Sequence, residues 1–104
     1  MTREVDSSTK VSPCCEMTAL ADGFTIVYEL LIRQNEEAEL GVMILYDIII
    51  TKRLSDGTVC SSACLSAVSS VYERAYRMFL CAYKNTVTPV CAADFFEEYN
   101  ARLV

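Results

Sequence analysis

The side chains best able to do chemistry in this chain are its six cysteines, which are Cys14, Cys15, Cys60, Cys64, Cys81 and Cys91. A cysteine nucleophile needs a neighbouring base, usually histidine, and the sequence contains no histidine. The adjacent Cys14-Cys15 pair and the Cys60-x3-Cys64 spacing match no standard zinc finger or zinc ribbon. Buried thiols that pack as small hydrophobic side chains are therefore the favoured interpretation for Cys64, Cys81 and Cys91. We expect no catalytic cysteine, no cofactor and no metal site.

One role for the thiols stays open. Cys60 lies close to the start of a predicted helix, and a helix N-terminus favours the reactive thiolate form of a nearby cysteine. The alternative function is therefore a metal or redox regulator that uses Cys60 and Cys64, together with Cys81 or Cys91.

Carboxylates and glycines give no stronger signal for catalysis. Asp94 and Glu98 are four residues apart and, with Glu97, could form an acid–base pair or a metal site on one helix. Such a site needs converging ligands from a second element, so a solvated helix face is the favoured interpretation. The three glycines are not spaced as in a phosphate-binding or dinucleotide-binding loop. The sequence therefore predicts a protein that is not an enzyme.

The charge of the chain narrows the choice of partner. Its 104 residues include nine Lys and Arg against fourteen Asp and Glu, a net charge of −5. Binding to nucleic acid needs clustered cations for the phosphates, so we expect no direct nucleic-acid binding and favour a basic protein partner. The N-terminal residues are polar, and no apolar stretch approaches the roughly 20 residues needed to cross a bilayer. We expect a cytoplasmic protein without a membrane partner.

The elements that must position these residues follow from the spacing of apolar side chains. A single domain is predicted over 14–104, after a disordered tail over 1–13. Alternating apolar residues predict a strand from Phe24 to Arg33, preceded by a weaker strand near Cys15 to Leu20. A third, longer strand is predicted from about Glu39 to Lys52 or Arg53, with a bulge or bend near Asp47.

Helical spacing follows the strands. Apolar residues three and four apart predict a long helix from Ser61 or Ser62 to about Lys84, and a shorter helix begins near Val90, after Pro89. The predicted fold class is α+β, with a small antiparallel sheet of about three strands followed by a long and a short α-helix packed on one face, in the order β-β-β-α-α.

Two sets of residues are candidates for binding. With both helices on one face of the sheet, the other face exposes five apolar side chains, which predict an interface with a partner or with a second copy in a homodimer: Val27, Leu31, Met43, Leu45 and Ile49. The second set is a predicted partner site made of an acidic loop and of helix residues of the types enriched in interface hot spots: Glu36, Glu37, Glu39, Tyr76, Arg77 and Tyr83.

The C-terminal third, in the stretches 71–80, 84–90 and 94–99, resembles the ending of a family of short bacterial proteins of uncharacterised function. In that family a helix ends at an Asn, a Ser/Thr-Pro turn follows and an acidic helix closes the chain. The resemblance implies the order of strands followed by helices here, and it supplies no activity. A histidine often follows the Pro-Val pair in the family, whereas this chain has Cys91.

The size, acidity and missing catalytic motifs are also similar in a general way to those of anti-CRISPR proteins, which mobile genetic elements use to inhibit bacterial defence nucleases. This likeness implies a non-enzymatic inhibitor or regulator that binds a CRISPR nuclease or its guide-RNA complex.

Overall fold

The computed structural model describes residues 9–37 and 41–102, which form a four-stranded antiparallel sheet followed by two α-helices. The strands lie side by side in chain order and are β1 (Thr9–Ala21), β2 (Phe24–Glu37), β3 (Gly41–Leu54) and β4 (Val59–Ser69). The helices are α1 (Tyr72–Lys84) and α2 (Ala92–Arg102), separated by a 3-10 turn at Pro89–Cys91. The predicted α+β class is confirmed, and the predicted number of about three strands is corrected to four.

The β2–β3 hairpin forms the centre of the sheet. Ile26, Tyr28 and Leu30 alternate along β2 and are fully buried, on the same face as Ile48 and Ile50 of β3. Because successive side chains of a strand point to opposite faces, the residues between them point away from this core. The predicted strand from Phe24 is confirmed, and it continues beyond Arg33 to Glu37, so the segment predicted as an acidic loop belongs largely to β2.

The β1–β2 and β3–β4 turns each contain an Asp-Gly pair. Gly23 and Gly57 have φ angles of +81° and +91°, in the left-handed region that glycine adopts without steric cost. At the second turn the N–H of Thr58 donates a hydrogen bond of 2.9 Å to Asp56 Oδ1. This turn directs the chain back along β3 and starts β4.

The predicted long helix is wrong in its first half, because β4 occupies Val59–Ser69 and α1 begins only at Tyr72. Leu65 and Val68 have helical spacing, but the serine and cysteine residues around them have low helix propensity. Pairing with the free edge of β3 outweighs that spacing. The helices are therefore similar in length, with 13 residues in α1 and 11 in α2.

The first strand is longer than predicted. β1 begins at Thr9, so residues 9–13 of the predicted tail pair with β2, while residues 1–8 lie outside the described residues. Pro13 is accommodated because β1 is an edge strand, and the pairing shifts by one residue at Cys14.

Both helices pack on the face of the sheet that carries Ile26, Tyr28 and Leu30. The residues that α1 buries are Ala75, Met78, Phe79 and Ala82, and those that α2 packs against the core are Phe95, Phe96 and Tyr99. The hydroxyl of Tyr28 donates a hydrogen bond of 2.9 Å to the carbonyl oxygen of Val87, which ties the segment between the helices to the sheet. Burial raises the pKa of Tyr28 to about 12, and the neighbouring Tyr83 contributes.

The second helix is present and begins at Ala92, two residues after its predicted start near Val90. No helix in the described part of the chain is long and apolar enough to cross a membrane.

Candidate protein-docking surface

The face of the sheet opposite the helices, called the open face below, carries a row of apolar side chains. The five residues predicted as an interface lie on it: Val27 and Leu31 in β2, and Met43, Leu45 and Ile49 in β3. Four of them are half-buried by their neighbours and Met43 is 39% exposed. Within the described part of the chain, none of the five belongs to the side chains packed in or against the core under the helices. The open face is therefore an apolar surface beneath which no helix lies.

A charged pair lies within this apolar surface. Arg33 donates two hydrogen bonds of 3.0 Å to Asp47, from Nε to Oδ2 and from Nη2 to Oδ1. The backbone N–H of Ala67 donates a third, of 2.7 Å, to Oδ1. Asp47 is only 6% exposed, although it belongs to the open face. The bidentate geometry holds the guanidinium of Arg33 in one orientation.

The electrostatics of the pair follow from these contacts. Burial by itself raises the pKa of Asp47, but the hydrogen bonds from Arg33 and from the N–H of Ala67, with the positive charge of Arg33, outweigh it and lower the pKa below its usual value. The pKa of Arg33 is raised, chiefly by its hydrogen bond to Asp47. Both groups therefore stay charged at neutral pH.

A bulge in β4 supplies the third hydrogen bond to Asp47. Tyr46 pairs with Ser69, whereas Ile48 pairs with Leu65, so two more residues of β4 than of β3 lie between these pairs. Ala67 lies in this bulge with a φ of +53°, which is unfavourable for a residue with a side chain. The predicted irregularity near Asp47 is thus present, but its additional residues belong to β4 and not to β3.

Two carboxylates face each other on the open face. Glu16 of β1 pairs directly with Glu29 of β2, and Glu29 pairs on its other side with Ile49 of β3. Like charges directly opposite each other in a sheet are destabilising. Neither carboxylate forms an ion pair with another described residue. Glu29 therefore lies within the apolar row, between Val27 and Leu31, and with Glu16 it adds negative charge that the described chain does not neutralise.

The second predicted set lies only in part within the described residues. Tyr76 and Tyr83 are half-buried against the core, where Tyr76 stacks on Phe79 at 6.1 Å and Tyr83 meets Tyr28 edge-on at 5.8 Å between ring centroids. Arg77, next to Tyr76 on α1, is exposed. The remaining members of the set are Glu36 and Glu37, whose backbone belongs to β2, and Glu39, which lies outside the described residues.

The cysteines are distributed over both faces. Cys60 lies in β4 and not before a helix, so the helix-terminus argument for its reactivity is wrong. Cys64 lies on the open face opposite Ile49, whereas Cys81 and Cys91 border a groove beside α2 on the other side of the sheet. Cys64 and Cys91 are exposed and Cys81 is half-buried, so the predicted burial is wrong for Cys64 and Cys91. The pKa of the thiol is raised in Cys14 and in Cys64, and partial burial is the largest cause in both. In residues 9–37 and 41–102, no three Cys, Asp or Glu side chains are grouped as metal ligands.

The apolar row can be located from the alternation of the sequence, whereas the charged groups within and beside it were not predicted. A signal was present: Asp47 interrupts the most apolar stretch of the chain, and a buried carboxylate needs a cation or several donors. Because side chains alternate between the two faces, Arg33 in the neighbouring strand lies on the same face as Asp47, so it was the available partner.

Comparison with known proteins adds no relative: no family model, no curated protein and no solved structure matches this chain significantly.

Proposed function

We propose that this chain is a non-enzymatic protein-binding inhibitor or regulator that docks a partner protein through the open face of its sheet. The observation that carries the proposal is the combination of an apolar row, a fixed arginine and a pair of carboxylates on the face that the helices leave uncovered. A protein–protein interface usually has an apolar centre, in which arginine is enriched, and a polar rim.

The apolar row supplies the driving force in this proposal. Burial of apolar surface contributes about 25 cal/mol per Å², so covering even part of the row is favourable. Arg33 strengthens the argument, because arginine is enriched among the residues that dominate interface energetics, and its orientation is already fixed by Asp47. Little side-chain entropy remains to be lost when a partner contacts it.

The carboxylate pair indicates the charge of the partner. A Lys or Arg side chain of a partner would relieve the repulsion between Glu16 and Glu29 and form an ion pair within the interface. The net charge of −5 attracts the same kind of surface over a longer range. The partner in this proposal therefore presents an apolar patch flanked by cations.

The most specific partner that we propose is a CRISPR nuclease or its guide-RNA complex. RNA-guided nucleases hold their nucleic acid in positively charged channels. A small acidic protein with an apolar docking face has the charge to occupy such a surface.

A pair of matched substitutions tests the docking face. Ile49→Lys places a positive charge in the centre of the row, where Glu29 lies opposite and can accommodate it. Val90→Lys makes the same chemical change at a side chain that is 85% exposed in the turn before α2. We expect the wild type and Val90→Lys to co-elute with the nuclease complex and to lower its DNA cleavage, and Ile49→Lys to do neither.

The outcomes test separately whether the open face is the docking surface and whether the partner is a CRISPR nuclease. Equal binding by both variants would contradict docking through the open face. A wild-type protein that neither co-elutes with the nuclease nor lowers cleavage would remove the CRISPR partner. Light scattering completes the test, because a wild-type dimer that Ile49→Lys dissociates would assign the face to a second copy.

A further inference from the structure

A pocket on the helical side of the molecule combines positive charge with the absence of any lining carboxylate. It has a volume of about 340 Å³ and lies between the end of β4, α1 and α2. Arg74 and Arg77 of α1 line it, and no Asp or Glu of the described residues does so. In a chain with fourteen acidic and nine basic residues, this local excess of cations runs against the overall charge.

The two arginines are placed to act on one ligand. They are three residues apart in α1, a spacing that puts their Cβ atoms about 5–6 Å apart on the same side of a helix. Both are exposed, and neither forms an ion pair with a carboxylate of the described residues. Like charges at this spacing repel each other, so a bound anion relieves the repulsion and uses the donors of both guanidinium groups.

We propose that this pocket binds a small organic phosphate monoester. A phosphate monoester carries a charge of about −1.5 to −2 at pH 7, which the positive charges of two arginines neutralise. A ligand with a single carboxylate carries too little negative charge to neutralise both arginines. Guanidinium groups bind phosphate oxygens with pairs of parallel hydrogen bonds.

The other residues that line the pocket can contact the phosphate and the organic group of such a ligand. The polar lining adds the Asn100 amide and the Ser69 hydroxyl, whose oxygen accepts a hydrogen bond of 2.9 Å from the N–H of Val71 and whose proton is left to donate. Val68, Met78 and the ring of Tyr99 give an apolar wall for an organic group. The volume lies within the usual range of about 300–1,000 Å³ for small-molecule sites.

A neighbouring pocket provides an internal comparison. It also has a volume of about 340 Å³ and shares Tyr99 with the first, but its charged lining residues are Asp94, Glu98 and Arg102. The two carboxylates repel a phosphate there. Arg102→Gln therefore removes the same charge as Arg74→Gln or Arg77→Gln, from an exposed helical arginine that belongs to a different pocket.

The test is a titration of the isotope-labelled protein with phenyl phosphate, followed by the NMR shifts of backbone amides. Inorganic phosphate and benzoate are titrated in parallel to separate the contributions of the anion and of the ring. We expect saturable shifts at Val68, Ser69 and Asn100 with a dissociation constant below about 1 mM for phenyl phosphate, and weaker binding of both comparison ligands. Arg74→Gln and Arg77→Gln should each weaken binding about tenfold or more, and Arg102→Gln by less than about twofold.

Three results would overturn the proposal: no saturable shift with phenyl phosphate, shifts that map to the acidic pocket, or an equal loss of affinity in all three arginine variants. Circular dichroism spectra and thermal midpoints of the variants show whether each is folded. The pocket and the open face lie on opposite sides of the sheet, so failure of one assignment leaves the other standing.

Discussion

The substitution Asp47→Asn isolates the charge of the buried pair on the open face. Asparagine has nearly the same shape as aspartate, and its carbonyl oxygen can still accept the hydrogen bond of 2.7 Å from the N–H of Ala67. Its amide nitrogen, in contrast, takes the place of Oδ2 and is a donor that faces the Nε–H donor of Arg33, whereas Oδ1 can still accept the hydrogen bond of 3.0 Å from Nη2. The variant therefore loses the ion pair and retains most of the packing.

The size of the effect follows from the exposure of the two side chains. A hydrogen bond to a charged group contributes about 1.5–3 kcal/mol, and breaking a fully buried ion pair costs about 3–5 kcal/mol. The side chain of Asp47 is 9% exposed and that of Arg33 is 23% exposed, so water compensates part of the loss. We expect the free energy of unfolding to fall by about 2 kcal/mol, a large share of the roughly 5–15 kcal/mol of a typical domain.

Urea denaturation at pH 7 measures this loss. With a denaturant slope of about 2 kcal/mol/M, the midpoint should fall by about 1 M. Asp56→Asn is the matched control, because the exposed carboxylate of Asp56 also accepts a backbone N–H, from Thr58 at 2.9 Å, but pairs with no arginine of the described residues. We expect its midpoint to equal that of the wild type.

The pH dependence distinguishes charge from packing. The pKa of Asp47 is lowered from its usual value of 3.8 in the folded protein, so the ionised carboxylate contributes stability that is fully present above 3.8 and is lost as the pH falls through the lower folded value. The gap between wild type and Asp47→Asn should therefore be constant near neutral pH and close only below pH 3.8. A gap that stays unchanged in acid, or a loss no larger than that of Asp56→Asn, would refute the reasoning.

Two further substitutions test the core and the bulge. Tyr28→Phe leaves the carbonyl oxygen of buried Val87 without its hydrogen-bond donor. We expect the free energy of unfolding to fall by about 1–2 kcal/mol and the thermal midpoint to fall by several degrees. An unchanged midpoint would contradict a contribution from this bond. Because the pKa of Tyr28 is raised to about 12, its neutral form stabilises the fold fully below pH 10 and loses this contribution as the pH rises towards 12, so wild type should lose its advantage over the variant in alkali. Ala67→Gly removes the strain of a positive φ angle at the bulge, and we expect a gain of about 0.5–1 kcal/mol in urea denaturation, whereas a loss would show that the methyl group of Ala67 contributes to packing.

Much of the central hairpin could be predicted because its side chains alternate strongly. Ile26, Tyr28 and Leu30 define the buried face of β2, and the same parity then places Val27 and Leu31 on the opposite face. The apolar row of the open face is therefore readable from sequence once the helices are assigned to one side of the sheet.

The strand β4 could not be read in the same way. Its residues are mainly small, no described strand pairs with its outer edge and its alternation is weak. Leu65 and Val68 therefore have the spacing of a helical repeat that continues into the helix beginning at Tyr72. The turn at Asp56-Gly57 was the better signal, since a tight turn after a strand favours an antiparallel neighbour.

Only the apolar part of the docking surface could be predicted, because the position of its charged pair depends on contacts between strands. An aspartate at an outward position of a strand is normally solvated, and only the three-dimensional bulge that brings the N–H of Ala67 to Asp47 buries it. In α1, Tyr76 and Tyr83 are seven residues apart and share one side of the helix, but residue types alone did not show that this side faces the sheet.

The irregular outer strands of the sheet limit how other proteins can add to it. Regular edge strands offer unpaired N–H and C=O groups to a strand of another chain, which leads to strand addition or to aggregation. In β1 this edge contains Pro13, which has no N–H, next to the shift at Cys14, and β4 is interrupted both near Cys60 and around Ala67. Both edge strands are thus poor templates for the addition of another strand. In the proposed function, a partner therefore contacts the face of the sheet and not its edges.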